Sequence, residues 1–365
     1  MNEQIRNQYV PDSVSAPGET LEEVLVERGM SQAELAERTG RPKKTVNEIV
    51  KGKAAITPET ALQFERVLGI PAGFWNAREQ NYRESLARAK EALEFEKQTD
   101  WLDQVPYRAM VKLGWIPEHR EKVRQLEDVL RFFAVASPSS WHGIWGVESP
   151  AFRRSSAFES KPGALAAWLR KGELEMSHQE PAEYDADAFK RALDQVRSLT
   201  RQLPSDFASI VTMECNKAGV GVAFVPELPG TRVWGATRWL TATRALIQLS
   251  LRYKTDDHLW FTFFHEAGHI LLHGRRDVFL EGDEREQTAK ESEADGFAQE
   301  WLIPEAKYRV FRRLGAFTCA AIGRFAFELG IAPGIVVGRL QHDGYLERTR
   351  CNDLKKKVDW VLERH

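Results

Sequence analysis

Within the run FTFFHEAGHILLHG, residues 261–274, His265 and His269 stand four apart with Glu266 directly after the first. On a helix an i, i+4 pair shares one face, one turn apart. Two imidazoles so placed can ligate one Zn²⁺, and a glutamate just off their line can act on water there without occupying the metal. The chemistry this spacing supports is zinc-assisted hydrolysis. The flanks Leu259, Trp260, Phe261, Phe263, Phe264, Ile270, Leu271 and Leu272 make the helix apolar nearly all round, so the spacing predicts a buried helix. Two histidines and a glutamate buried there need partners, which a metal supplies.

A hydrolytic zinc site takes three protein ligands and keeps one position open. His273 lies one further turn along, but three ligands in a row on one straight helix cannot close around an ion. It reads as a helix-end residue that supports a ligand. The stretch KESEADGFAQEWLIP offers better candidates. Glu291 falls near its apolar stripe and is the expected third ligand, ahead of Glu293. Asp295, one turn on, is placed to accept the spare N–H of His265. A second donor to the developing oxyanion is expected from Arg252, Tyr253 or His273, and the sequence does not choose.

The elements that position these residues come in two kinds. GVGVAFVPEL (strand-like over residues 219–225), residues 231–240 with a bend at Gly235, and residues 245–253 read as three short strands leading into the histidine helix. Their sheet edge would hold an extended peptide above the metal. The rest is helical. Near the N-terminus, four short helices follow a loose arm over residues 1–17. The first is stopped by Gly29. The second, Gln32 to Thr39, opens on a Ser31/Glu34 capping box and stops at Gly40. The third runs from Pro42 to Lys51, and the fourth from Thr57-Pro58 to Leu68. Ala36 at a crossing, Gly40 in the turn and inward Val46 and Ile49 match a helix-turn-helix, whose third helix enters the major groove. Residues 37–53 carry six basic side chains against two acidic, a local balance of +4. The expected DNA-contacting residues are Gln32, Arg41, Lys43, Lys44, Thr45, Asn47 and Lys51.

The stretch from ETLEEVLVERG through ITPETALQFERVLGIPAGFW, about residues 17–85, resembles the XRE-type helix-turn-helix of HigA-like antitoxins. From about Arg153 to Arg350, through GVGVAFVPELPG, HEAGHILLHG, ESEADGFAQEWLIP and GIVVGRLQHDG, the chain resembles the ImmA/IrrE family of zinc metallopeptidases. Together they are similar to fused XRE–ImmA/IrrE regulators. The first resemblance implies homodimers on palindromic operators. The second implies zinc on His265, His269 and Glu291, general-base work by Glu266, and a protein substrate, such as a repressor, the chain itself or a co-encoded partner. The alternative is a HigA-like antitoxin or repressor whose metallopeptidase fold senses or docks without proteolysis.

The expected fold is α+β and mostly helical. An all-α helix-turn-helix domain (17–85) is followed by a helical linker region (86–150), a zincin-like domain with a small sheet over the histidine helix (151–310) and a C-terminal helical module (311–365). In the linker, VASPSSWHGIWGVESP reads as a loop in which His142 packs. The C-terminal module echoes helix-turn-helix spacing without a basic surface and reads as a packing or docking unit. The net charge of −2 leaves any DNA site to a local patch. No signal layout or membrane-length apolar run is present. Three scattered cysteines, Cys215, Cys319 and Cys351, fit a reducing cytosol and exclude a cysteine zinc site.

Overall fold

The computed structural model describes residues 14–146, 162–250, 252, 254–274, 278–282 and 288–358. Tyr253, Arg153 and the first residues of the N-terminal arm lie outside them. The chain divides into two compact units, Met1–Thr99 and Asp100–His365.

The first unit is all helical: α1 (Pro17–Glu27), α2 (Gln32–Thr39), α3 (Lys43–Val50), α4 (Pro58–Leu68) and α5 (Ala72–Glu96). Its boundaries follow local chemistry. Ser31 Oγ accepts from the Glu34 amide at 3.1 Å, and Thr57 Oγ1 accepts from Thr60, so both caps form as the sequence predicts. Gly40 ends α2 with φ of 67°, a conformation that costs glycine little. Pro42 serves as the N-cap of α3 rather than its first residue. Leu21, Leu35, Val46, Phe64 and Trp75, all fully buried, form the core, with Ala36 packed among them. The expected domain limit at residue 85 falls inside α5, whose helical pattern runs on to Glu96.

In the second unit, α6 (Tyr107–Lys112), α7 (Lys122–Phe133), α8 (Pro138–Trp145), α9 (Pro162–Ser177), α10 (Ala186–Leu199) and α11 (Phe207–Asn216) precede a four-stranded sheet. The strands are β1 (Val220–Phe224), β2 (Val233–Thr241), β3 (Arg244–Leu249) and β4 (Phe279–Gly282), in the order β1-β3-β2-β4. β1 and β3 are parallel, and β2 is antiparallel to both its neighbours. The histidine helix α12 (Asp256–Leu272) packs on β2 and β3 and against α13 (Ala289–Leu302). α14 (Glu305–Leu314), α15 (Cys319–Leu329) and α16 (Pro333–His342) complete the core beneath α12. No single helix among the described residues is long and apolar enough to cross a membrane.

Three expectations need correction. Residues 138–145 are helix, not loop. Ser137 caps the amide of Ser140 and Pro138 takes the first turn, so the Pro and Ser start a helix. Trp141 and Trp145, four apart, bury one face of it while His142 stays exposed. Second, the sheet has a fourth strand. β4 is only four residues long and follows a polar stretch, so it shows no alternation to read. Third, Cys319 and Cys351, 32 residues apart, are joined as a disulfide, while Cys215 is free and buried. Distance along the chain concealed this closeness, because the chain turns back after α16.

The residues after Cys351 strap the N-terminus of α12. The Lys356 amide donates to Asp256 Oδ1 at 3.0 Å, the Asp256 amide donates to Lys356 O at 2.9 Å, and Lys355 Nζ pairs with Asp257 at 2.6 Å. Gly334 and Gly338 of α16 lie so close to these two carboxylates that neither position has room for a Cβ. Burial pushes the Asp256 carboxyl up from 3.8 to about 6, against the backbone hydrogen bond from Lys356. The folded chain therefore holds this proton more tightly than the unfolded chain. The resulting stability is full below pH 3.8 and is lost as pH rises through 6. A shift of this size corresponds to about 3 kcal/mol. Urea midpoints of wild type and Asp256→Asn, compared from pH 4 to 7, should diverge above pH 4, with wild type losing stability relative to the variant. Parallel curves would contradict this.

Candidate metal centre and nucleic-acid interface

α12 carries His265, Glu266 and His269 at exposures of 0%, 0% and 1%. It gets so close to its neighbours because small residues face it. A Cβ on Gly268 would stand 3.1 Å from the Phe297 ring and 3.3 Å from Ala294 Cα, so this glycine lets α13 approach. On the sheet side, a Cβ on Gly235 of β2 would lie 2.5 Å from Glu266 Oε1. The expected bend at Gly235 is thus a close approach within a continuous strand, with the Glu266 carboxylate resting on the β2 backbone. One residue pair further along β2, Thr237 Oγ1 donates to the Glu266 carbonyl at 3.0 Å. That bond fixes the helix turn from which the carboxylate projects.

Glu291, in the first turn of α13, meets the two histidines. Its Oε2 lies 3.1 Å from His265 Nε2 and its Oε1 lies 3.5 Å from His269 Nε2, while the two Nε2 atoms are 3.0 Å apart. The three side chains can offer ligand atoms all within 4.8 Å of one another. Ligands at zinc's usual bond lengths in a tetrahedral arrangement would sit about 3.3–3.4 Å apart. The spacings fit such an ion with little movement.

The outer ring nitrogens set the direction of the inner ones. His265 Nδ1 meets Asp295 Oδ1 at 2.9 Å. His269 Nδ1 meets His273 Nδ1 at 2.9 Å, and His273 Nε2 meets Glu293 Oε2 at 3.1 Å. A carboxylate accepts, so His265 Nδ1 and His273 Nε2 carry protons. His273 Nδ1 then accepts from His269 Nδ1. Both Nε2 atoms are left with lone pairs aimed inward, beside the Glu291 carboxylate. Burial brings the His269 imidazole down to about 4 despite the pull of Glu291, so it is neutral at pH 7. The structure thus brings together His265, His269 and Glu291, and sets Asp295 and His273 behind them. His273 is the C-cap residue of α12, and Glu293 touches His273 rather than the centre.

Sequence reasoning missed Phe279. This first residue of β4 stacks on the His269 ring, with centroids 3.9 Å apart and planes at 15°. The run VFLEG, rich in strand formers between two polar stretches, was the available signal. β4 is the edge strand on this side of the sheet.

In the first unit, Lys43 and Lys44 are exposed in the first turn of α3, and Thr45 and Arg41 are half-buried beside them. Asn47 Nδ2 donates to Gln32 Oε1 at 3.1 Å, which ties the outer faces of α3 and α2 together. Lys51, at the C-cap of α3, is exposed. Arg41 also donates from Nε to Gln63 of α4, a contact that the sequence did not signal.

A helix-turn-helix family model matches residues 21–75, and a model of the IrrE N-terminal-like domain matches residues 225–315. Among solved structures, an addiction module antidote protein of a HigA family from Coxiella burnetii is 32% identical, over 23% of this chain and 92% of its own, with a TM-score of 0.22. The Pseudomonas aeruginosa antitoxin HigA, solved with the higBA promoter, is 30% identical over 23% and 94%, also at 0.22. No match was found among curated proteins. A DNA-binding helix-turn-helix domain is therefore joined to a metallopeptidase-like domain. The first unit thus contains a match to the XRE-like helix-turn-helix family, and the second contains a region that matches the ImmA/IrrE-like domain.

Replacing Asp295 with Ala frees His265 to rotate and should weaken zinc binding about 10- to 100-fold. Glu291→Ala should weaken it further. Competition with a chromophoric chelator measures both, and an unchanged affinity in Glu291→Ala would exclude this residue as a ligand.

Proposed function

We propose that this chain is a transcriptional regulator whose second unit is a zinc-dependent endopeptidase, acting in the cytoplasm on a protein substrate. The observation that carries the reading is the convergence of His265 Nε2, His269 Nε2 and the Glu291 carboxylate, with both outer imidazole nitrogens already engaged. In this reading these three residues hold the metal. Zinc, when bound, supplies a Lewis acid that acidifies water and polarises a carbonyl oxygen.

The chain's own residues do the rest. Glu266 takes the proton from the attacking water at its carboxylate and delivers it to the leaving amine. Asp295 and His273 hold the two imidazoles in one tautomer and one orientation. The edge strand β4 can hold an extended substrate segment by main-chain hydrogen bonds beside His269. Gln32, Arg41, Lys43, Lys44, Thr45, Asn47 and Lys51 meet DNA, in a homodimer on a palindromic operator. The substrate is a repressor, a co-encoded partner or the helix-turn-helix unit of the chain itself.

Glu266→Gln removes the base and leaves the ligands and the first unit untouched. The zinc-loaded wild type should cleave itself or a protein encoded beside it, and the variant should be slower by at least about a hundredfold. DNA from the chain's own upstream region should be bound equally by both. If the wild type cleaves none of these proteins, or if the variant cleaves as fast, the endopeptidase reading falls.

A further inference from the structure

The Cys319–Cys351 bridge lies where a covalent link bears on the order of the histidine helix. Cys319 is the first residue of α15, whose Ile322 and Ala326 are buried in the core beneath α12. Cys351 directly precedes a single 3-10 turn, Asn352–Leu354, that leads into the strap. The strap reaches α12 through a few individual contacts. They are the paired bonds between Lys356 and Asp256, the ion pair of Lys355 with Asp257, and the Val358 amide donating to Lys254 O at 2.9 Å. All of them fall on the first turn of α12 or just before it. Upstream the strap has little else to hold it. Of residues 344–350, Leu346 alone is buried, so the bridge is the covalent tie between the strap and the core.

Two observations set this bridge apart from one that a fold needs in order to form. The second unit has an extensive apolar core, which small disulfide-dependent domains lack. In the proposed reading the chain also works in the cytoplasm, where thiols are kept reduced and protein disulfides are typically transient or redox-sensing. Cys319 is half-buried and Cys351 is buried, so the Cys319 sulfur is the reachable end of the bridge. Cys215, free and buried in α11, offers no competing partner.

We propose that this bridge is a redox latch. As a disulfide it ties the strap to the core and holds the start of α12, and reduction by a cellular dithiol releases the strap and weakens the hold of His265, His269 and Glu291 on zinc. The inference rests on the cytoplasmic, zinc-binding reading. One thiolate of the dithiol attacks the Cys319 sulfur, and Cys351 leaves as a thiolate that takes up a proton. The second thiolate then attacks its neighbour in the mixed disulfide, and Cys319 leaves in the same way. Two electrons and two protons pass to the bridge, and the dithiol becomes a disulfide. The consequence reaches the centre because α12 is one continuous helix from Asp256 to Leu272. Freeing its first turn removes the fixed point from which His265 and His269 are presented to Glu291 on α13.

The test uses the full-length chain freed of metal. Oxidised protein, protein reduced with dithiothreitol and desalted without air, and Cys319→Ser/Cys351→Ser protein are compared by hydrogen–deuterium exchange and mass spectrometry. In peptides covering residues 254–258 and 352–358, reduction should speed amide exchange at least about tenfold, and reoxidation should restore the slow rate. The double variant should match the reduced protein and ignore dithiothreitol. α2 and α3 should exchange alike in all forms, which separates release of the latch from misfolding. Zinc, added in competition with a chromophoric chelator, should bind several-fold more weakly to the double variant, which has no bridge thiols of its own to offer the metal. A bridge that survives a large excess of dithiothreitol overturns the inference. So does reduction without faster exchange in the strap, or faster exchange with unchanged zinc affinity. If no form binds zinc, the metal-binding reading falls and the latch with it. Cleavage separates the remaining cases. A latch that fails in a chain that binds zinc and cleaves a substrate leaves the endopeptidase standing. A latch that works in a chain that cleaves nothing refutes the endopeptidase alone.

Discussion

Two imidazole nitrogens and a carboxylate oxygen, each offering a lone pair, face one another in the interior of the second unit. Without a cation between them, such an arrangement is repulsive, and burial deprives it of water that could relieve the repulsion. The rest of the unit is arranged to maintain that geometry. Asp295 and the His273–Glu293 pair hold the rings so that the lone pairs cannot turn away. Gly268 admits α13, and with it Glu291, while Gly235 admits the Glu266 carboxylate against β2. The site is therefore a product of two close backbone approaches as much as of its ligands.

Those approaches depend on α12 being fixed along its length. Its apolar sides are clamped between the sheet and α13–α16, and its N-terminus is strapped by residues 355–357. The strap follows the Cys319–Cys351 link, so a covalent bond far from the histidines in sequence helps anchor the helix that carries them. The cost appears at Asp256, where burial of a carboxylate opposes ionisation at neutral pH. Positional control of the helix is gained at some expense of stability, a balance common where buried polar groups serve function.

Much of this was legible in the sequence because the signals were local. The i, i+4 histidines, the Ser31 and Thr57 caps, Gly40 and the basic run after it each report on a single turn of chain. The approach of Glu291 to the histidines could be anticipated because it lies near the apolar stripe of a helix that follows them in the chain. What could not be read depends on contacts between distant segments. Phe279 stacks on His269 from a strand too short to show alternation, and Cys319 meets Cys351 only after the chain reverses. Ser and Pro before Trp141 looked like breakers, because the same residues that interrupt a helix also begin one. The role of Gly235 as a seat for Glu266 required the register of β2 over α12.

The two proposed chemistries would occupy separate units, phosphate contact at the exposed lysines of α3 and metal binding at the buried His265, His269 and Glu291. The proposed function depends above all on zinc being held by His265, His269 and Glu291. X-ray absorption at the zinc edge of the purified full-length chain tests it most directly. One zinc per chain is expected, with a first shell of only nitrogen and oxygen at about 2.0–2.1 Å and the outer-ring scattering of two imidazoles. A shell containing sulfur, or one without imidazole scattering, would contradict it.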